Sequence, residues 1–174
     1  MEPPATVSIP RVRTPRLLLR EARRGDFEGA AAFDADPEAM LHLGGPVDRR
    51  EAWRRFLLGA GSWVVQGMGW WSVEIDTGEC VGTVGLFRRE SAPEVEMGWM
   101  VYRPWWGRGI ASEATAAAIQ YGVQAWGLTQ VIAHVDEGND ASARVALKLR
   151  MRCVGEVDFY GHPVRRYEWT ASAR

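Results

Sequence analysis

The chain has 174 residues, of which 47% are hydrophobic and 25% are charged, and its formal net charge is −1. This length and composition are typical of one globular domain that can bury a core of its own. A net charge so close to zero favours neither a nucleic acid nor an anionic membrane as a partner. No apolar run reaches the ~18 residues of a membrane-spanning helix. The two cysteines, Cys80 and Cys153, lack the spacing of a metal site or a disulfide framework, so we expect a cytoplasmic protein without a metal.

The first half of the chain predicts one strand, two helices and a hairpin. An extended arm over residues 1–13 leads into a short apolar run that is bounded by proline and glycine and is typical of a strand. Asp48 and Glu51 have the spacing of a capping box, which marks the start of a helix that we expect to end near Gly59. The predicted elements are a strand over 16–22, helices over 26–34 and 48–59, and hairpin strands over 70–76 and 80–87.

The second half predicts a strand–helix–strand unit that is followed by a helix and another hairpin. Residues 94–102 alternate between two faces, and residues 110–126 place apolar side chains at helical spacing. The next strand, over 130–135, is expected to lie parallel to the first because a helix makes the crossover between them. A helix over 139–151 and a hairpin over 156–171 follow. The residues therefore predict one α/β domain with a mixed sheet.

A glycine turn over residues 107–109 joins the strand and the helix of that unit. The N-terminus of a helix offers unpaired N–H groups and positive potential, and glycine lets an anion approach the backbone. Arg108 adds a cation, and Trp105 and Trp106 are predicted to fix the turn. A tight turn without a ligand is the alternative interpretation. Ser112 replaces the third glycine of the dinucleotide-binding motif, so the residues alone predict an anion site, with phosphate as its usual ligand, and no more.

Four segments together resemble the GNAT superfamily of N-acetyltransferases, and within it the RimJ/RimL-like branch of ribosomal-protein N-terminal acetyltransferases. The resemblance covers roughly residues 14–170 and implies a single GNAT-like domain that binds acetyl-CoA as a co-substrate. It also implies a mostly antiparallel sheet of about seven strands, about four helices and a splayed parallel pair of strands at the cofactor site. The segments are TPRLLLREA (14–22), CVGTVGLF (80–87), EMGWMVYRPWWGRGIASEA (96–114) and NDASARVALKLRM (139–151).

The resemblance also implies which residues bind acetyl-CoA. The pyrophosphate lies on the backbone amides of the glycine turn and of the first helical turn. The pantetheine arm pairs with the end of the preceding strand, and a backbone N–H there polarises the thioester carbonyl. Pro104 and Arg150 depart from the family pattern, since Gln or Arg is common at the first position and glycine at the second. The implied cofactor-binding residues are Met100, Val101, Gly107, Arg108, Gly109, Ile110, Ala111, Ser112 and Asn139, the last of which also has the position of a helix cap.

Acetyl transfer to an amine needs a base, donors that hold the oxyanion, and protonation of the thiolate. Glu96 matches a glutamate of the family and is the leading candidate for the base, since burial on the strand would raise its pKa. The alternative interpretation is that Glu96 only pairs with a neighbouring arginine. Glu94 is the second candidate for the base. Ser142 matches a serine that lies near the sulfur in this branch, or is only a first-turn serine. Ala146 occupies the position where many members of the superfamily have a tyrosine that acts as the general acid. We expect His134 to be a packed or a surface histidine rather than a catalytic one.

The leading hypothesis is an acetyl-CoA-dependent N-acetyltransferase that works by direct attack in a ternary complex. The acceptor is a protein N-terminus or a small amine such as an amino sugar, a polyamine or an antibiotic. A non-catalytic acyl-CoA-binding or sensing domain is the alternative, because the usual tyrosine is absent. Most of the nine tryptophans are expected to lie in the core, and a few are expected to line an acceptor pocket between the sheet and the helices near residues 40–60. His42 and His162 fall in loop-like stretches and indicate no role, and assembly as a homodimer is left open.

Overall fold

A computed structural model describes residues 7–90 and 92–171 of the chain. These residues form one mixed sheet that is flanked by α-helices, which confirms the predicted α/β domain. The helices are α1 (Phe27–Ala35), α2 (Arg49–Gln66), α3 (Ile110–Trp126) and α4 (Asp140–Lys148). The strands are β1 (Val12–Arg13), β2 (Leu17–Arg20), β3 (Trp70–Ile75), β4 (Cys80–Arg88), β5 (Val95–Val101), β6 (Gln130–Asp136), β7 (Arg152–Phe159) and β8 (His162–Thr170).

The sheet has the order β1-β2-β3-β4-β5-β6-β8-β7, and every neighbouring pair is antiparallel except β5 and β6. Strands β4 and β5 stay in register along the whole length of β5. Strands β5 and β6 are parallel, as predicted, but they share one register pair, Glu96 with Ile132. Beyond that pair the two strands separate, so their backbone groups face an opening in the middle of the sheet.

The two faces of the sheet have different roles because β5 alternates as predicted. Its residues Val95 and Met97 point into the main core, where Ile110 and Ala118 of α3 also lie. Burying an aliphatic side chain of this size stabilises a fold by roughly 1.5–3 kcal/mol, so this face anchors α3 to the sheet. The opposite face carries Glu96, and helices α1 and α2 lie over it.

Helix α2 is longer than predicted, since it passes Gly59 and ends at Gly67, whose φ is 67°. Helix α2 extends past Gly59 because of a tertiary contact. Trp63, on the added part, is only 2% exposed, and its indole Nε1 donates to the carbonyl of Trp70 at 2.9 Å. This anchoring outweighs the roughly 1 kcal/mol that a glycine costs inside a helix. No helix in residues 7–90 and 92–171 is long and apolar enough to cross a membrane.

The sheet has eight strands where about seven were expected. The additional strand is β1, a two-residue strand inside the predicted extended arm that pairs with β2 and forms the edge of the sheet. Residues 1–6 of that arm lie outside the described residues. The last hairpin begins at Arg152, four residues before its predicted start, because β7 pairs with β8 as far as Glu168 despite an irregularity between Cys153 and Gly155.

Helix α4 ends at Lys148, earlier than the predicted boundary at Met151. Arg150 has a φ of 61°, in the left-handed region where family members usually carry glycine. The Met151 amide donates to the carbonyl of Ala146 at 3.0 Å, which closes the helix end in the manner of a Schellman motif. The departure from the family pattern therefore leaves the geometry of the helix end intact and adds strain at Arg150.

Candidate active site

The glycine turn has the geometry of an anion site. Gly107 and Gly109 have φ angles of 74° and 75°, which side chains with a Cβ rarely adopt. Gly109 is the residue before the first turn of α3. The amides of Ile110, Ala111 and Ser112 therefore have no acceptor within the helix, and the helix dipole adds positive potential at the same place.

Side chains from two other segments hold this turn. Arg16, at the start of β2, donates to the carbonyl of Arg108 at 3.0 Å and forms an ion pair with Glu113 at 2.6 Å. Thr14 donates to the same glutamate. The Arg108 guanidinium lies 4.5 Å from the ring centroid of Trp105, so this tryptophan fixes the turn as predicted. Arg16 is a second cation beside the turn, and it could not be predicted because the two segments are so far apart in the chain.

The opening between β5 and β6 exposes the end of β5. The Val101 carbonyl accepts a hydrogen bond from the indole Nε1 of Trp106 at 2.6 Å. Trp106 is 41% exposed, so its side chain covers this carbonyl from the solvent side. A ligand that pairs with Val101 as an added strand must share or displace this indole.

A cleft of about 920 Å³ lies on the helix-covered face of the sheet and reaches the opening. Trp70 lies flat over Gly85 and Gly98, which are opposite each other on β4 and β5. Its ring stacks on Phe87 with centroids 5.2 Å apart and planes 22° apart. The glycines leave room for the indole, which forms an aromatic floor. The tryptophans that line the cleft are Trp70, Trp71 and Trp99.

Glu96 lies in the cleft and is 6% exposed. Arg89 donates to both of its oxygens, at 2.5 and 2.9 Å, and His134 Nδ1 lies 3.4 Å away without hydrogen-bonding geometry. Burial raises the pKa of Glu96, but the interactions with His134 and Arg89 together outweigh burial and hold the pKa below its usual range. The predicted raised pKa is therefore wrong, and the alternative, pairing with an arginine, is what the structure shows.

Asn139 and Ser142 also line the cleft. The Asn139 side-chain oxygen accepts from the Ser142 amide at 3.0 Å, which confirms its role as a helix cap and leaves its amide N–H₂ free to donate. Ala146, at the position of the family's tyrosine, is fully buried against Ala133 and Met151. A proton donor at that position is therefore absent from the side chains of α4.

The cleft contains two further polar pairs that the sequence analysis did not predict. His134 is packed as expected, with its ring 4.7 Å from that of Phe159, but it also faces Glu96. His42 Nδ1 lies 2.7 Å from Asp136 Oδ2, and both residues line the cleft. His42 and Asp136 are 94 positions apart in the chain, so neither periodicity nor motif spacing could predict this pair, and only the fold brings the two residues together.

The structure thus divides the predicted residues between two places. Glu96, Met100, Asn139 and Ser142 meet in the cleft. The glycine turn, residues 107–112, lies beyond the end of β5 and does not line it. Because the edge of β5 runs between the two places, one elongated ligand can reach both.

Comparison with known proteins agrees with this arrangement. The acetyltransferase (GNAT) domain family matches residues 16–152. YkkB, an uncharacterized protein of Bacillus subtilis, is 31% identical over 136 residues, which are 76% of this chain and 79% of YkkB. An acetyltransferase crystal structure from Agrobacterium tumefaciens has a TM-score of 0.83 at 29% identity and covers 98% of this chain and 100% of its own.

RimL, a ribosomal-protein α-N-acetyltransferase solved with coenzyme A, has a TM-score of 0.78 and covers 95% of this chain and 100% of its own. At 16% identity this likeness is one of fold. The chain therefore belongs to the GNAT family of acetyltransferases, enzymes that transfer acyl groups to amines.

Proposed function

We propose that this enzyme transfers an acetyl group from acetyl-CoA to a primary amine by direct attack in a ternary complex. The single register pair between β5 and β6 carries the proposal. It leaves a free strand edge that runs from an anion-binding turn to a large cleft. A thioester on a long, phosphate-bearing arm needs a seat for its phosphates, an edge for the amides of its arm and a cavity where the amine meets it.

The residues of this chain fit acetyl-CoA in that order. The amides of the glycine turn and of Ile110, Ala111 and Ser112 would hold the pyrophosphate, with Arg108 as a nearby cation. The backbone of Met100 and Val101 would pair with the pantetheine arm. The free amide N–H₂ of Asn139 would donate to the same arm. When bound there, acetyl-CoA supplies an activated carbonyl carbon and a thiolate leaving group.

Side chains of the cleft would then assist the proton transfers of the reaction. An amine arrives mostly as an ammonium ion and must lose a proton before it attacks. Glu96 is our family-based hypothesis for the base; its lowered pKa keeps it ionised but weakens it as a proton acceptor. Ser142 would donate a hydrogen bond to the sulfur. A Glu96→Gln variant that keeps the full rate would exclude Glu96 as the base.

The acceptor is a protein N-terminus or a small-molecule amine. RimL, a relative in fold, is named for action on a ribosomal protein, which motivates a peptide acceptor. Spermidine and glucosamine represent the small amines. We place the enzyme in the cytoplasm because Cys80 and Cys153 are both free, as expected of a reducing compartment.

Calorimetric titration of acetyl-CoA tests the binding half of the proposal. We expect Gly109→Val to weaken binding at least about tenfold, because its Cβ is strained at positive φ and obstructs the phosphates. Gly78→Val, also at positive φ but in the turn between β3 and β4, where an added Cβ meets nothing within 4 Å, is the matched control. Intact-mass measurement after mixing with acetyl-CoA alone tests direct attack. Stoichiometric acetylation of the protein would contradict it.

A further inference from the structure

His42 and Asp136 form a pair at the edge of the cleft. His42 lies in the connection between α1 and α2, and Asp136 is the last residue of β6. The His42 Nδ1 is 2.7 Å from Asp136 Oδ2, the geometry of a charge-assisted hydrogen bond. The side chains are 25% and 39% exposed, so the pair is accessible from the cleft rather than sealed in the core.

This hydrogen bond fixes the form of the imidazole. An ionised carboxylate only accepts, so Nδ1 must be the nitrogen that carries the proton. A ring with its one proton on Nδ1 has a bare lone pair on Nε2, which can accept a proton from a neighbouring group. A histidine oriented by a carboxylate in this way is arranged to act as a base.

The pair lines the same cleft as Glu96, Asn139 and Ser142. The Cε1 of His42 is 3.7 Å from the position that a Cβ on Gly138 would occupy. Gly138 immediately precedes Asn139, which we propose contacts the pantetheine arm. Glu96, the other candidate base, already accepts two hydrogen bonds from Arg89.

We infer that His42 accepts the proton of the incoming amine and that Asp136 positions it. This inference rests on the proposed acetyl transfer. The ammonium proton moves to Nε2, and the freed nitrogen lone pair forms a C–N bond with the acetyl carbon. The C–S bond breaks with its electron pair on sulfur, and the second proton of the nitrogen ends on that sulfur. The imidazolium then loses its proton to water, so atoms and charge balance.

The same hydrogen bond also ties the α1–α2 connection to the sheet, and a purely structural role must be separated from a chemical one. Arg103 forms ion pairs with Asp36 and Glu38 and ties the same connection to the turn after β5. None of these three residues lines the cleft. Arg103→Gln is therefore a matched control that loosens the connection without touching the pair.

Steady-state kinetics with spermidine, glucosamine and a peptide with a free N-terminal alanine form the first test. We expect His42→Gln to lower kcat on the order of 100-fold or more, with the KM for acetyl-CoA changed less than about threefold. Asp136→Asn should lower kcat by a smaller factor, and Arg103→Gln should leave it unchanged. Added imidazole should restore part of the rate of His42→Gly. A full rate in His42→Gln, or equal losses in Arg103→Gln, would overturn the inference.

The second test needs no acceptor. Nitrogen-15 NMR of the histidine rings should show His42 with a protonated Nδ1 and a bare Nε2, and Asp136→Asn should perturb that signal selectively. A neutral ring with its proton on Nε2 would refute the base role whatever the acceptor is. If wild-type protein acetylates none of the three amines, the proposed function fails on those acceptors, while the NMR result still decides whether His42 can act as described.

Discussion

The floor of the cleft depends on the absence of a side chain at Gly98. A Cβ added there would lie 3.0 Å from Cζ2 and 3.2 Å from Cζ3 of Trp70, and closer still to Cη2. The indole cannot simply turn aside, because it stacks on Phe87 and lies over Gly85, where an added Cβ would be 2.6 Å from Cδ2. The change Gly98→Ala therefore forces Trp70 out of its position.

Two opposing effects set how much Gly98→Ala changes the free energy of unfolding. Overpacking a well-filled site typically costs 1–3 kcal/mol, whereas replacing glycine with alanine in a strand returns about 0.5–1 kcal/mol. We expect a net loss of about 1–2 kcal/mol in the free energy of unfolding. For a domain of this size that corresponds to a fall in Tm of roughly 2–8 °C.

Urea denaturation of a double-mutant cycle measures the effect. In a Trp70→Leu background the shorter side chain leaves space, so Gly98→Ala should become neutral or slightly stabilising. Gly61→Ala is the control, because an added Cβ there meets nothing within 4 Å and alanine favours the helix. If Gly98→Ala costs the same with leucine as with tryptophan at position 70, the indole is not the obstacle and the description of the floor is wrong.

Two further predictions concern stability. Arg150→Gly should raise the free energy of unfolding by about 1 kcal/mol, because it relieves a φ of 61°, whereas Lys148→Gly inside α4 should lower it by a similar amount; equal effects in urea denaturation would argue against strain. Acid should destabilise the protein as the pH falls from about 5 to about 2. Hydrogen bonding to Arg11 lowers the pKa of Glu21 to about 2, and arginine and backbone donors outweigh burial to lower that of Asp26, so both bind fewer protons folded than unfolded. Asp26→Asn should make the free energy of unfolding depend less steeply on pH in this range. An unchanged pH dependence would contradict the lowered pKa of Asp26.

Sequence patterns located the features that are local in the chain. The alternation of β5, the glycine turn and the helical spacing of α3 lie within a few residues of one another, so propensity and periodicity suffice to predict them. Asn139 and Ser142 are likewise neighbours, and the cap between them was predictable. These features also carry the family resemblance, which explains why the fold and the glycine turn could be predicted from the sequence.

Features that depend on how the elements pack against one another could not be read from the sequence. The length of α2 depends on Trp63 meeting the carbonyl of Trp70, which overrides the glycines. The pKa of Glu96 depends on Arg89, a kind of pairing that the sequence left open as an alternative, and on His134, which only the fold brings within reach. Burial alone favours a raised pKa, and the sequence shows burial more readily than it shows the partners.

The most direct measurement is acetyl transfer itself. The protein is mixed with acetyl-CoA labelled with carbon-13 in the acetyl group and with the three amine acceptors, and both products are followed by mass spectrometry. We predict a labelled N-acetyl amine and one free CoA for each acetyl group transferred, at a rate that Gly109→Val reduces. Release of CoA without any labelled amide, or no dependence on the glycine turn, would contradict the account.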